Sequence, residues 1–236
     1  MRDWLSYRLS DLLLFSPRTY YRMFELYHEA IWPAQLFVVA MAVAIVVLLR
    51  RGDERSGAII ATLLAAVWLW VAVAFQLQRY AAINWAARYF AGLFVVQALL
   101  LMWYGAVRRR LTFGDPRTRP GWLMPAVFGA AVVLPPIAGR GADRTWTQVE
   151  LFGLTPDATA IATLALVMLA VPRAPRVLTL APLVWCAIAG ATLWAMDSSE
   201  AWLYIAAFSA GLLAAALGVS RRTLPTRRLD ARRSGV

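Results

Sequence analysis

The chain has 236 residues, 61% of them hydrophobic, and a formal net charge of +11, with a mean hydropathy of +0.60. A soluble domain is nearer to about 45–50% apolar; here the excess is gathered in long uncharged runs, which excludes an ordinary soluble fold and points to the bilayer. The positive charge sits between those runs and at the C-terminus, where membrane topology collects it, so no nucleic acid is expected as partner.

All 24 basic residues are arginine, a usage that fits a GC-rich bacterial genome. Without a lysine amine no Schiff base to retinal or pyridoxal phosphate can form. One cysteine, Cys186, excludes an internal disulfide, and with one histidine, His28, sites that need several soft ligands cannot be built from this chain alone. No metal and no cofactor is expected.

Taken in order, residues 1–30 form an N-terminal segment without a cleavable signal. Ser16-Pro17 supplies an N-cap and a first-turn proline, and PRTYYRMFELYHEA then alternates apolar Tyr20, Phe24 and Tyr27 with charged Arg18, Arg22, Glu25 and Glu29 at helical spacing. The pattern predicts an amphipathic helix at the membrane interface, bending into the bilayer at Pro33. Seven apolar spans are expected over residues 31–220, at about 31–49, 57–75, 87–107, 121–137, 155–172, 177–196 and 201–219. Pro135-Pro136 should unwind the far end of the fourth. Thr155-Pro156-Asp157 reads as a helix start, with Thr155 as cap and the acid in the first turn. The basic tail 221–236 is expected to be disordered and cytoplasmic, with affinity for anionic lipids at the inner face.

Charge orients the bundle. The segments 50–55, 108–120, 173–176 and 221–236 carry sixteen arginines, whereas the opposite loops carry Arg79, Arg88, Arg140 and Arg144 against Asp143, Glu150, Asp157, Asp197 and Glu200. The positive-inside rule places the C-terminus in the cytoplasm, and seven spans place the N-terminus outside, in the inner membrane of a bacterium. The fold class is therefore an all-α, polytopic seven-helix bundle with an N-terminal interfacial helix.

The stretch Gln76–Phe90 joins two of the spans and carries Arg79, Asn84 and Arg88 at the outer boundary. Asn84 and Arg88 are four apart and share a helix face. Arg88 either snorkels to headgroups or, with Arg79 and Asn84, lines a candidate ligand-binding pocket that Glu150 and Asp157 complete. Glu25 and His28 share a helix face as a candidate proton-sensitive pair. Gln97, near mid-span, should find an interhelical hydrogen bond. Cys186 reads as an apolar filler, and Gly211 with Ala215, and Ala206 with Ala210, as small-residue packing faces that suit a homo-oligomer or a membrane partner. The central half of every span lacks Asp, Glu, Arg, Lys and His, and no catalytic signature is present.

Three segments, FSPRTYYRMFELYHEAIWPAQ (15–35), INWAARYFAGLF (83–94) and FGLTPDAT (152–159), resemble an uncharacterised family of bacterial multipass membrane proteins, a domain of unknown function. The resemblance spans nearly the whole chain. Many relatives read Cys-Pro after the Thr-Pro, where this chain has Asp157-Ala158, so a thiol or soft-metal role at that turn has no cysteine here. The family implies membrane architecture and no activity. Three functions follow from the residues: small-molecule or ion binding or transport through an outer-facing polar pocket, a non-catalytic accessory or scaffold subunit, or a membrane enzyme acting on lipid. The last has the least support, because no paired catalytic constellation is visible.

Overall fold

A computed structural model describes residues 13–113, 120–170 and 174–223, with side chains through residue 216. Within them all regular structure is helical. Helix α1 spans Pro17–Ala30, started by Ser16, whose Oγ accepts the Thr19 N–H at 3.2 Å. The chain bends at residues 31–33 and enters α2, Ala34–Arg51. Gly52, at φ +67°, closes α2 in the left-handed conformation that only glycine adopts freely. Asp53 then caps α3, Glu54–Trp70, accepting the Ser56 N–H at 2.5 Å. Helix α3 widens into a π-helical stretch, Val71–Leu77, and a single 3₁₀ turn, Tyr80–Ala82, leads to α4, Ala87–Leu101, which widens in turn over Met102–Val107. There follow α5, Leu123–Gly141, α6, Pro156–Leu169, α7, Val177–Ala195, and α8, Ala201–Thr223.

Among the described residues, five helical stretches are long and apolar enough to cross a membrane: Ala34–Arg51, Glu54–Ala82, Ala87–Val107, Leu123–Gly141 and Val177–Ala195. That pattern is the one a membrane-embedded protein has. Helix α6 is shorter than the seven-span expectation requires, whereas α8 runs for 23 residues, Ala201–Thr223. At 1.5 Å per residue, α6 is roughly 21 Å long against a hydrocarbon core of about 30 Å. Its environment explains its composition. Helix α6 packs against α3, α5, α7 and α8, and residues 156–164 are buried without a break. An apolar helix surrounded by helices needs neither amphipathicity nor full bilayer length. Helix α2 is the opposite case: few of its side chains are buried, and Leu36, Phe37, Val39, Val43 and Val47 are exposed.

Prolines mark two places where backbone bonding is rerouted. Pro182 within α7 has no N–H to give the Leu178 carbonyl one turn earlier. Gln97 of α4 supplies the missing donor, its Nε2 reaching Leu178 O at 3.0 Å. Water cannot do this inside a bilayer, so an amide from a neighbouring helix takes its place. In α5 the expected unwinding does not occur: the helix runs through Pro135 and Pro136 to Gly141. Pro135 is buried, and tertiary packing holds the helical φ and ψ that proline itself tolerates.

Helix α1 does not lie apart from the bundle. Its apolar face, Tyr20, Met23, Phe24 and Tyr27, is buried. Phe24 and Tyr27 meet Phe75 edge-on at 5.2 and 5.4 Å between ring centroids, and Tyr20 meets Tyr80 at 6.0 Å. The helix is thus a cap on the bundle end where the 78–86 turn lies, opposite the arginine-rich end. Of the basic tail, only the last turn of α8 falls within the described residues; residues 224–236 lie outside them, as do 1–12.

Candidate functional site

The segment between α5 and α6, residues 142–155, folds beneath α1 and is tied to it bond by bond. Gln148 donates to Glu25 at 2.6 Å, the Thr147 carbonyl accepts from His28 Nδ1 at 2.7 Å, and Tyr27 donates its hydroxyl proton to the Leu154 carbonyl at 3.0 Å. The Trp70 indole N–H donates in turn to the Tyr27 hydroxyl at 3.0 Å. Gly153, at φ +81°, sits against Val38 and Val67 at the floor of the segment, and its N–H is held by the Thr159 hydroxyl at 2.9 Å.

This clamp encloses four charged side chains that are out of solvent: Arg144 at 2% exposure, Glu150 at 0%, Asp157 at 1% and Glu200 at 1%. Arg144 forms an ion pair with Glu200. It also donates to the Tyr21 hydroxyl at 3.0 Å, with its guanidinium 4.1 Å from the Tyr21 ring centroid, a cation–π contact. Asp157, in the first turn of α6, accepts the Trp185 indole N–H of α7 at 2.7 Å. Ser198 donates to Glu200 at 2.9 Å. Three segments, 142–155, the start of α6 and the start of α8, therefore converge with α1 and α7 on one spot.

The charges do not balance. Three carboxylates face one guanidinium. Both oxygens of Glu150, Oδ2 of Asp157, Oε2 of Glu200 and the Tyr204 hydroxyl are buried with no hydrogen-bond partner among the described residues. Burial, then the nearby Asp157, pushes the Glu150 carboxyl well above the ordinary carboxylate range. The Thr155 hydroxyl and Arg144 oppose this but do not cancel it. The Thr155 hydroxyl is already engaged with Leu151, accepting its N–H at 2.9 Å and donating to its carbonyl at 3.0 Å. The Tyr20 phenol, in the roof of the site, is pushed up in the same sense by burial and by Asp157 and Glu150. A buried carboxyl with no partner is far more stable protonated than ionised. His28 shifts the other way: burial lowers its pKa against a smaller opposing effect of the Thr147 carbonyl.

Of the residues singled out in the sequence, Glu150 and Asp157 are brought together here. Glu25 and His28 stand at the clamp, each spending a polar atom on the 142–155 segment. Arg79, Asn84 and Arg88 lie elsewhere. Asn84 accepts the Ala86 N–H at 3.0 Å, which shapes the turn before α4, and Arg88 is exposed. Gln97 is spent on Leu178. Thr155 occupies the N-cap position of α6, but its side chain makes no capping bond and turns back to Leu151 instead, a departure from the expected cap. Gly211 approaches Leu183 and Leu164 within the bundle, so its small size serves α8 packing on α7 and α6, whereas Ala206 and Ala210 are exposed.

Sequence reasoning grouped Arg144 and Glu200 only as loop charges, yet they form the buried ion pair. A partial signal exists: Arg144 is one of four arginines set against five acids on that side, and so a natural partner for one of them. Trp185 and Tyr204 carried no signal, because an aromatic in an apolar span looks the same whether or not its polar atom faces a carboxyl. Among the described residues no group of three or more His, Cys, Asp or Glu side chains is arranged to hold a metal ion.

Fold and site together define an all-helical protein of membrane type, with a buried carboxyl cluster closed over by its first helix. The chain belongs to the family of unknown function DUF6064, whose model matches residues 18–227. No curated protein and no solved structure matches it.

Proposed function

We propose that the protein is a seven-span integral membrane protein of the inner membrane that binds or transports an ion or small molecule through a polar site on its outer side, and that the ion held there is a proton on the Glu150–Asp157 pair. The observation that carries this reading is the excess of buried carboxyl over buried cation around Arg144. In a low-dielectric site such an excess is relieved by taking up positive charge, and a proton requires no further ligands. Counting α6 and α8 as spans makes the arginine-rich segments 50–55 and 108–113 and the end of α8 cytoplasmic, with the cluster, the 78–86 turn and α1 outside.

The test is reconstitution into liposomes with a pH-sensitive dye inside. An imposed pH difference should drive proton uptake by the wild type, and Glu150→Gln with Asp157→Asn should abolish it while leaving the helical content intact. Equal uptake by the double variant would remove the cluster from the function. A second reading, an accessory subunit of a membrane complex, is favoured by α2, which leaves Leu36, Phe37, Val39, Val43 and Val47 exposed. Co-purification of a stoichiometric partner in mild detergent, lost on polar substitution of Phe37 and Val43, would favour it.

A further inference from the structure

The same end of the molecule carries a second site of opposite sign. A groove of about 450 Å³ runs between α1 and the 78–83 turn, open to the surface. Its polar lining includes Arg18, Arg22 and Arg79; its apolar lining includes Met23, Leu26 and Ile83; no acidic residue lines it. Arg18 and Arg22 are one helical turn apart on α1 and so share a face, and Arg79 comes from the far side of the groove. Among the described residues the ion pairs are Arg22–Glu25 and Arg144–Glu200, so Arg18 and Arg79 have no ion-pair partner among them. Arg22 reaches Glu25 at 2.6 Å on the rim, with one carboxylate oxygen and no more.

We propose that this groove binds the phosphate of an anionic phospholipid headgroup. Two guanidiniums without an ion-pair partner among the described residues, and a third held by a single carboxylate, offer the forked donors that phosphate oxygens take. The apolar strip of Met23, Leu26 and Ile83 beside them fits the glycerol and first acyl carbons, which a free phosphate would leave bare. The position fits as well. The groove lies beside the end of the long apolar stretch Glu54–Ala82, with exposed Trp32 and Trp85 on the same end of the bundle, the level at which aromatic side chains meet headgroups. The size is that of a small-molecule site, within the usual range of about 300–1,000 Å³. This site requires that the chain be embedded in a bilayer. It does not depend on protonation of Glu150.

The experiment is native mass spectrometry of the full-length protein in mild detergent, with phosphatidylglycerol and phosphatidylcholine added in equal amounts. The wild type should retain phosphatidylglycerol in preference. Arg18→Gln with Arg79→Gln should lower that retention by about tenfold or more, given the attraction of each arginine to anionic lipid. Arg88→Gln, an exposed arginine outside the groove lining, should leave it unchanged. Arg18 and Arg88 are exposed and Arg79 is half-buried; thermal unfolding of the variants should match the wild type and exclude a folding defect. Equal retention of the two lipids by the wild type, or unchanged preference in the double variant, would overturn the site. Displacement of the lipid by millimolar inorganic phosphate, with phosphate alone protecting the wild type and not the double variant, would overturn the lipid assignment in favour of a soluble phosphate ligand.

Discussion

Two polar regions sit at the same end of this bundle and solve the same problem in opposite ways. Around Arg144, three acids and one base are withdrawn from solvent and roofed by α1. Around the half-buried Arg79 and the exposed Arg88, charge keeps its access to the surface, and Asn84 is used to turn the chain. The difference teaches that exposure, more than residue type, decides what a charge does at a membrane boundary. An exposed arginine is screened and interchangeable. A buried carboxyl must be paired, protonated or bonded, so each member of the enclosed cluster constrains the others.

Breaking the enclosed ion pair should have the largest effect. Arg144→Ala strands Glu200 and removes the donor to Tyr21; a loss of about 3–5 kcal/mol is expected from an uncompensated buried charge, read as a lowered midpoint of thermal or denaturant unfolding. Adding Glu200→Gln to that variant should recover part of the loss. If Arg144→Ala is as stable as the wild type, the cluster is not closed as described.

Next comes Trp185→Phe, which keeps the ring contacts with Phe90 and Phe94 and deletes the donor to Asp157. An unsatisfied buried acceptor costs about 1–3 kcal/mol, and the loss should shrink when Asp157 is replaced by Leu.

Smaller again is Gln97→Leu, expected to cost about 1 kcal/mol, in the range of interhelical hydrogen bonds in membranes. The informative comparison is a double-mutant cycle with Pro182→Ala. Alanine restores an N–H one turn after Leu178, so the carbonyl no longer needs Gln97, and the cost of the glutamine change should fall. Additive losses would show that Gln97 and Pro182 are not linked. Smallest is Arg88→Ala, which should lie within about 0.5 kcal/mol of the wild type; a larger change would mean that the exposed turn is coupled to the interior after all.

The sequence made the solvated region and the helical scaffold legible, and the enclosed region only in part. Ser16-Pro17 announces α1 because capping chemistry is local, and long uncharged runs announce spans because the bilayer allows little else. Glu150 and Asp157 stood out as acids near a boundary. Their neighbours did not, because Arg144, Trp185 and Glu200 come from three separate segments, and only packing brings them together. Pro135-Pro136 misled for a related reason: local rules predict a break, and the burial of Pro135 against the neighbouring helices overrides them. Helix α6 is apolar because it is buried in protein, α2 because it faces outward, and hydropathy alone does not distinguish the two.

The pH dependence carries two opposed contributions. His28 has a depressed pKa, so its contribution to stability is complete above its ordinary value of 6.5 and erodes as pH falls below it. Glu150 has a raised pKa, so its contribution is complete below its ordinary 4.5 and erodes as pH rises toward the folded-state value. Comparing the wild type with Glu150→Gln cancels the histidine and leaves the acid: the variant should gain stability relative to the wild type as pH rises.

The most direct measurement of the central claim is the infrared spectrum of the carboxyl groups at neutral pH, in lipid, for the wild type and for Glu150→Gln. A proton stored in the enclosed cluster predicts a protonated carboxyl band in the wild type that is lost or shifted in the variant. A wild-type spectrum in which every carboxyl is ionised would contradict the account.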